Sequence, residues 1–238
     1  MPGRTRTLSL TSDHIARVHR PIDDQGLAPG AELHSDADYE GWVERMIRSH
    51  PAPTAPTSLF AYGSLIWKPE LEHVGEQLGV GRGWHRAFCF RITRFRGTPE
   101  QPGLMMALDR GGQCQGVLYE LPQRNLEGQF GKLFRREFTY KPANSIPRWI
   151  KVETASGAIP ALTFVMNRAS PRYVGGLSPD SVADVLARAC GHWGTGAEYL
   201  LNTVTHLEKK GIRDGNLWRL QALVAEQIES QRRTSAPC

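Results

Sequence analysis

The sequence predicts an α+β protein, and three observations carry that expectation. Short apolar runs bounded by Gly and Pro fill most of residues 59 to 166 and read as strands. Apolar residues at helical spacing interrupt that stretch once and then dominate from residue 178 to 228. The composition, 40% hydrophobic and 22% charged over 238 residues, suits a globular domain whose core needs no disulfides. Strand pairs followed by helices are compatible with the α+β class without singling out one architecture.

Taken in order, residues 1 to 34 carry no period, because Pro21, Gly26, Pro29 and Gly30 interrupt it, and they read as a loose arm that either lies on the domain or is partly disordered. A helix is expected over 36–49, with Ser35 as N-cap. Its apolar stripe is Tyr39, Trp42, Val43, Met46 and Ile47, which must bury against the main domain or a partner. The Pro-rich PAPTAPTS at 51–58 reads as an extended linker. The expected organisation is an N-terminal extension over 1–56, a main domain over 57–230 and a frayed tail over 231–238.

Leu59-Phe60-Ala61 reads as a buried strand that leads into Tyr62-Gly63-Ser64. Glycine at 63 allows either a positive φ or a close approach to another atom. Peptide N–H groups and a serine hydroxyl leaving a rigid strand form a cradle for a carboxylate. The competing reading is a strand that simply turns, with Tyr62 and Trp67 filling core. Residues 80–92 follow as an aromatic-rich strand. Residues 103–122 hold two apolar runs around Asp109-Arg110-Gly111-Gly112, a hairpin signal.

From Gln123 to about Phe138, Leu126, Phe130, Leu133 and Phe134 recur at helical spacing. Glu137 lies 4, 7 and 11 residues beyond Leu133, Phe130 and Leu126, so the same pitch turns it inward while Arg135 and Arg136 point elsewhere. An inward carboxylate has a raised pKa suited to proton transfer near neutrality. Alternatively the helix stops earlier and Glu137 pairs with a neighbouring arginine at the surface. A second hairpin is expected around Ala155-Ser156-Gly157. Three helices then follow, opened by Ser178-Pro179, by Thr195 with Glu198, and by Asp214.

No apolar run reaches the ~18 residues of a membrane span, and no secretory signal is recognisable, so a cytoplasmic protein without membrane contact is expected. Cys89, Cys114, Cys190 and Cys238 form no CxxC pair, and the eight histidines are dispersed, which leaves no metal site. Residues 57–238 hold 23 basic against 16 acidic groups, but these do not alternate with aromatics, so no nucleic-acid partner is expected. A small anionic substrate accounts equally well for such an excess. Gly79, Gly81 and Gly83 precede strand-like sequence instead of a helix, and Ser64 lies in no GxSxG elbow. His85 and His192 have no evident partners for a triad.

The phrase YGSLIWKP at 62–69 resembles the signature of the ChaC family of γ-glutamylcyclotransferases. GWHRAFCF, GGQCQGVLYELP, LFRREF and SPRYVGGLS continue the resemblance in the same order, from about Leu59 to about Val224. It implies a γ-glutamylcyclotransferase-like small mixed β-barrel with surrounding helices. It implies further that Tyr62, Gly63, Ser64 and Leu65 hold the γ-glutamyl group of glutathione. LFRREF aligns Glu137 with the family's catalytic glutamate. Arg86 sits where the family has an arginine, either as a ligand for a substrate carboxylate or as an edge-strand residue in solvent. By the same resemblance, Phe164 stands where some relatives carry a tyrosine, so a hydroxyl is missing there. Tyr173 and Tyr199 are candidates for the rim of the site, with core packing as the alternative.

The activity so implied is release of 5-oxoproline and Cys-Gly from glutathione, without cofactor. The other class of function open at this point is a non-catalytic regulator that senses a γ-glutamyl compound or binds a partner protein, with the Trp42 helix as its docking surface.

Overall fold

The computed structural model describes residues 7–235. In chain order the elements are α1 (Ser12–Val18), β1 (Glu32–Leu33), α2 (Asp36–Arg48), β2 (Ser58–Ala61), α3 (Ser64–Trp67), β3 (Gly75–Ile92), β4 (Gly103–Glu120) and α4 (Leu126–Glu137). There follow β5 (Tyr140–Lys141), β6 (Ser145–Thr154), β7 (Gly157–Met166), α5 (Pro179–Leu186), β8 (Cys190–Gly191), β9 (Gly194–Thr195), α6 (Gly196–Lys209) and α7 (Gly215–Ser235). The chain divides into two compact units, one made of Leu27–Phe90 and Met106–Tyr173, the other of the remaining segments.

The first unit is built on a closed barrel in the order β2-β4-β3-β6-β7, closed by pairing of β7 with β2, with an additional β4–β7 pairing. The pairing is mixed. β2 runs antiparallel to β4, from Ser58 opposite Glu120 to Ala61 opposite Val117, and parallel to β7 at Leu59 and Leu162. Phe60, Leu108, Cys114, Leu118, Val152 and Ala161 form its interior, as expected where alternate strand residues turn inward. Closure leaves the barrel strands without a long free edge.

One sequence expectation changes here. Residues 103–120 form one long strand, not a hairpin. Gly111 and Gly112 adopt φ of 110° and 64°, so the turn signal bends the strand without reversing it. The expected β6–β7 hairpin does form, with Thr154 opposite Gly157 and Gly157 at φ 123°.

Residues 27–56 belong to the same unit as the barrel. β1 pairs antiparallel with β5, so part of the segment read as a loose arm is ordered by strand pairing. Ser35 caps α2 as expected and exchanges hydrogen bonds with Asp38. Tyr39, Val43 and Met46 are buried, and the α2 stripe packs against α4 of the same unit.

In the second unit α1, α5, α6 and α7 pack on one another. Leu10 is buried and its N–H donates to Gln221 Oε1 at 2.8 Å, so residues at the foot of the arm are also fixed. Ser178 and Thr195 accept from the N–H groups of Ser181 and Glu198, and Asp214 Oδ1 accepts from Asn216 and Leu217. α7 continues to Ser235, past the point where fraying was expected; residues 236–238 lie outside the described residues. Tyr199 is buried in α6. No described helix is long and apolar enough to cross a membrane.

Candidate active site

β2 is buried at every position, and the chain leaves it at Tyr62 to enter α3 two residues later. Gly63 has φ −138° and ψ −128°, so the positive φ that a glycine permits is not what this turn uses. Gly63 and Leu65 are buried, while Tyr62 and Ser64 are half-exposed. Tyr62 also packs against the barrel interior.

Three side chains from three strands hold this exit in place, each by donating to a main-chain carbonyl. Thr163 Oγ1 of β7 donates to Phe60 at 2.9 Å, Arg86 Nε of β3 to Tyr62 at 2.6 Å, and Tyr119 Oη of β4 to Ile66 at 3.4 Å. All three donors are buried: Thr163 at 0% exposure, Tyr119 at 2% and Arg86 at 8%. Arg86 Nη2 also donates to the Gln115 carbonyl. Arg86 is thus not an edge residue in solvent; its guanidinium is engaged with the loop backbone.

Gly116 lets β2 come this close. A Cβ there would lie 2.5 Å from the Ala61 carbonyl oxygen and 2.7 Å from the Phe60 ring. The GGxCxGVxYxLP stretch therefore acts through its glycine and its Tyr119.

Glu137 is the last residue of α4. The helix extends far enough for its pitch to act: Phe130, Leu133 and Phe134 are buried, and the Glu137 side chain keeps 18% exposure. Burial pushes its pKa from 4.5 up to about 7; the Arg136 guanidinium opposes that rise, and the Glu70 carboxylate adds to it.

The neighbouring arginines differ from expectation. Arg135 does turn away, to Asp36 Oδ1 at 2.6 Å and over the Tyr39 ring. Arg136 does not: its Nε lies 3.2 Å from Glu137 Oε1. The same guanidinium donates to the Lys68 carbonyl at the end of α3 and lies 3.1 Å from Glu70 Oε2. One cation thus ties the end of α4 to the short helix opened by Ser64. Consecutive residues on a helix do not normally face each other. The helix stops at Glu137, and Phe138 is already extended, with φ −147° and ψ 120°.

Phe164, at 1% exposure, stacks edge-on against Phe134 and also contacts Phe138, so it walls the end of α4 with carbon alone. Tyr173 donates to Asp109 Oδ2 at 3.0 Å, beside the Arg168–Asp109 ion pair, and pins the loop after β7. Cys89, Cys114 and Cys190 are buried free thiols, and burial pushes Cys89 up to about 12; Cys238 lies outside the described residues.

Sequence reasoning brought out Tyr62, Gly63, Ser64, Leu65, Arg86 and Glu137, and all of them lie in the barrel unit. It missed Thr163, Tyr119 and Arg136. Thr163 was detectable as the polar residue in the apolar run IPALTFVMN; Arg136 carried no such signal.

A closed mixed barrel with a braced strand exit and helices packed around it is the architecture of the γ-glutamylcyclotransferase fold class. The chain belongs to the ChaC family: the family model described as ChaC-like protein matches residues 58–227. The glutathione-specific γ-glutamylcyclotransferase of Escherichia coli is 39% identical over 163 residues, 68% of this chain and 70% of that protein. The human glutathione-specific γ-glutamylcyclotransferase 1 is 26% identical over 165 residues, 64% of this chain and 70% of that protein. A crystal structure of the yeast γ-glutamyl cyclotransferase specific to glutathione superposes with a TM-score of 0.65 at 19% identity, covering 73% of this chain and 97% of that one. That likeness establishes the fold.

Proposed function

We propose that the chain is a γ-glutamylcyclotransferase that acts on glutathione and releases 5-oxoproline and Cys-Gly. The family membership and the names of its relatives support this reading. The observation that carries it is the Glu137 carboxylate, held at the end of α4 with a pKa of about 7. A group balanced between its two protonation states near neutrality both takes and gives a proton at little cost.

The peptide groups of Tyr62, Gly63, Ser64 and Leu65 hold the α-carboxylate and amine end of the γ-glutamyl group. Glu137 takes a proton from the ammonium, and the freed amine attacks the γ-carbonyl to close a five-membered ring. As the γ-amide C–N bond breaks, Glu137 returns the proton to the departing amine nitrogen of Cys-Gly. The second proton lost by the ring nitrogen leaves that amine as an ammonium and the ring as neutral 5-oxoproline lactam. No external reactant enters, because nucleophile and carbonyl belong to one molecule. Correct positioning supplies several kcal/mol of the barrier, roughly 7 or more in well-oriented intramolecular cases. General acid–base transfer contributes about 10²–10⁴-fold in rate.

Arg86 serves this site by holding the Tyr62 carbonyl, which fixes the loop whose N–H groups meet the substrate. Arg136 favours the ionised form of Glu137 and keeps its raised pKa within reach of neutrality.

The test is incubation of the purified chain with glutathione, with 5-oxoproline and Cys-Gly followed by mass spectrometry. Both products are expected from the wild type, and neither from Glu137→Gln, which should fold normally. Glutathione left intact by the wild type would favour a binding protein, and an active Glu137→Gln enzyme would place the base elsewhere.

A further inference from the structure

The family match begins at residue 58, yet residues 32–42 grip the chain on the far side of Glu137. Tyr39 Oη of α2 donates to the main-chain carbonyl of Phe138, the residue directly after Glu137, at 3.0 Å, and the bond is buried. β1 then pairs with β5, Leu33 opposite Tyr140 and Glu32 opposite Lys141, and the His34 N–H donates to the Thr139 carbonyl at 3.1 Å. Lys141 Nζ lies 2.7 Å from Asp38 Oδ2 at the start of α2. Residues 138 to 141 are thus each engaged by the N-terminal segment.

The rings follow the same plan. Tyr39, His34 and Trp42 surround Phe138 at centroid distances of 5.8, 5.4 and 5.8 Å. On the preceding turn Arg135 reaches Asp36 and lies over Tyr39. A helix end frays unless its last carbonyls find partners and the following chain is tied down. Here the Phe138 N–H bonds the Phe134 carbonyl within the chain itself, while the extension supplies the donor to the Phe138 carbonyl and ties down residues 139–141.

We propose that Glu32–Arg48 is a clasp that fixes the catalytic carboxylate, with Tyr39 as its positioning residue. The proposal rests on the reading of Glu137 as the base. Tyr39 touches no substrate; it acts through Phe138. Its phenol is suited to the task, because burial raises its pKa above the ordinary tyrosine value and keeps it a donor across the working pH range. Loss of the hydroxyl lets the end of α4 relax and admits water to Glu137. A displacement of about 1 Å at a reacting group can cost on the order of 100-fold in rate. The added hydration also lowers the carboxyl pKa toward the ordinary range.

Steady-state kinetics on the full chain tests the clasp. Wild type and Glu137→Gln are compared first; an active Glu137→Gln overturns the base assignment, and the clasp with it, whatever Tyr39 does. Tyr39→Phe is then set beside Trp149→Phe, which removes another hydrogen bond to α2, Trp149 Nε1 to the Met46 carbonyl, far along the helix from Tyr39. The expected result for Tyr39→Phe is a kcat lower by about tenfold or more, KM close to wild type, and the acid limb of the pH profile moved to lower pH. Trp149→Phe should lower Tm and leave kcat and the profile in place. Unchanged kcat in Tyr39→Phe, or parallel losses in both variants, overturns the clasp while leaving Glu137 as base. Should Tyr39→Phe fail to fold, Lys141→Met severs the strand-side ion pair at a half-exposed position and is read against the same two outcomes.

Discussion

Arg86 Nε donates to the Tyr62 carbonyl at 2.6 Å, which makes a buried cation the support of the strand exit. The guanidinium also reaches the Gln115 carbonyl, so one planar group joins β3, β4 and the loop. A lysine carries the charge but lacks the fork.

Arg86→Lys should therefore cost about 1–3 kcal/mol of stability by leaving a buried carbonyl without its donor. KM for glutathione should rise in parallel, as the loop loses its brace. Urea unfolding and kinetics on the same preparation check this. If KM rises while stability is unchanged, Arg86 contacts the substrate carboxylate directly and its bracing role is wrong.

Gly116→Ala tests the close approach beneath the loop. The new methyl would stand 2.5 Å from the Ala61 oxygen, a backbone atom that gives way only if β2 moves. Overpacking of this kind costs about 1–3 kcal/mol. The expected outcome is a lower Tm together with a lower kcat/KM, and wild-type values of both would mean that β2 shifts freely.

The raised pKa of Glu137 gives two pH dependences. For activity, the ionised carboxylate is needed to accept the first proton, so kcat/KM should rise through an acid limb near pH 7. A limb near pH 4.5 would show the carboxylate to be solvated in the free enzyme.

For stability the sign is opposite. The folded pKa lies above the unfolded one, so this group favours the folded state most below about pH 4.5, and that advantage is lost as the pH rises through 7. Glu137→Gln removes the dependence. The stability of Glu137→Gln relative to wild type should thus improve by roughly 3 kcal/mol between pH 4 and pH 8. Urea titrations at the two pH values measure it; no change in the difference would mean that Glu137 is not desolvated in the folded state.

Much of the site was legible because it depends on local pitch and local composition. Leu126, Phe130, Leu133 and Phe134 at helical spacing offered Glu137 as an inward residue, with an earlier helix stop as the alternative, and the resemblance of LFRREF chose between them; Ser35, Ser178, Thr195 and Asp214 marked helix starts that the structure keeps. The signal at Asp109 to Gly112 was misleading, because positive-φ glycines bend a strand as readily as they reverse it, and the choice is made by the strands alongside. The arm at residues 7–34 is ordered by α1, which packs on α6 and α7, by strand pairing with β5 and by the Leu10 hydrogen bond; α1 has only seven residues, too few to show an apolar period.

The sequence by itself determined which residue types exist to do acid–base work and which apolar stripe one of them extends, since periodicity is a property of the chain alone; that the helix runs as far as Glu137 was decided by the fold. Only the tertiary structure decided that Thr163, Arg86 and Tyr119 converge on the carbonyls of Phe60, Tyr62 and Ile66, that Arg136 bridges Glu137 to the end of α3, and that Tyr39 holds Phe138. Those contacts join residues 24 to 103 positions apart, apart from the adjacent Arg136–Glu137 pair; barrel closure brings together the first three, and the packing of α2 on α4 brings Tyr39 to Phe138.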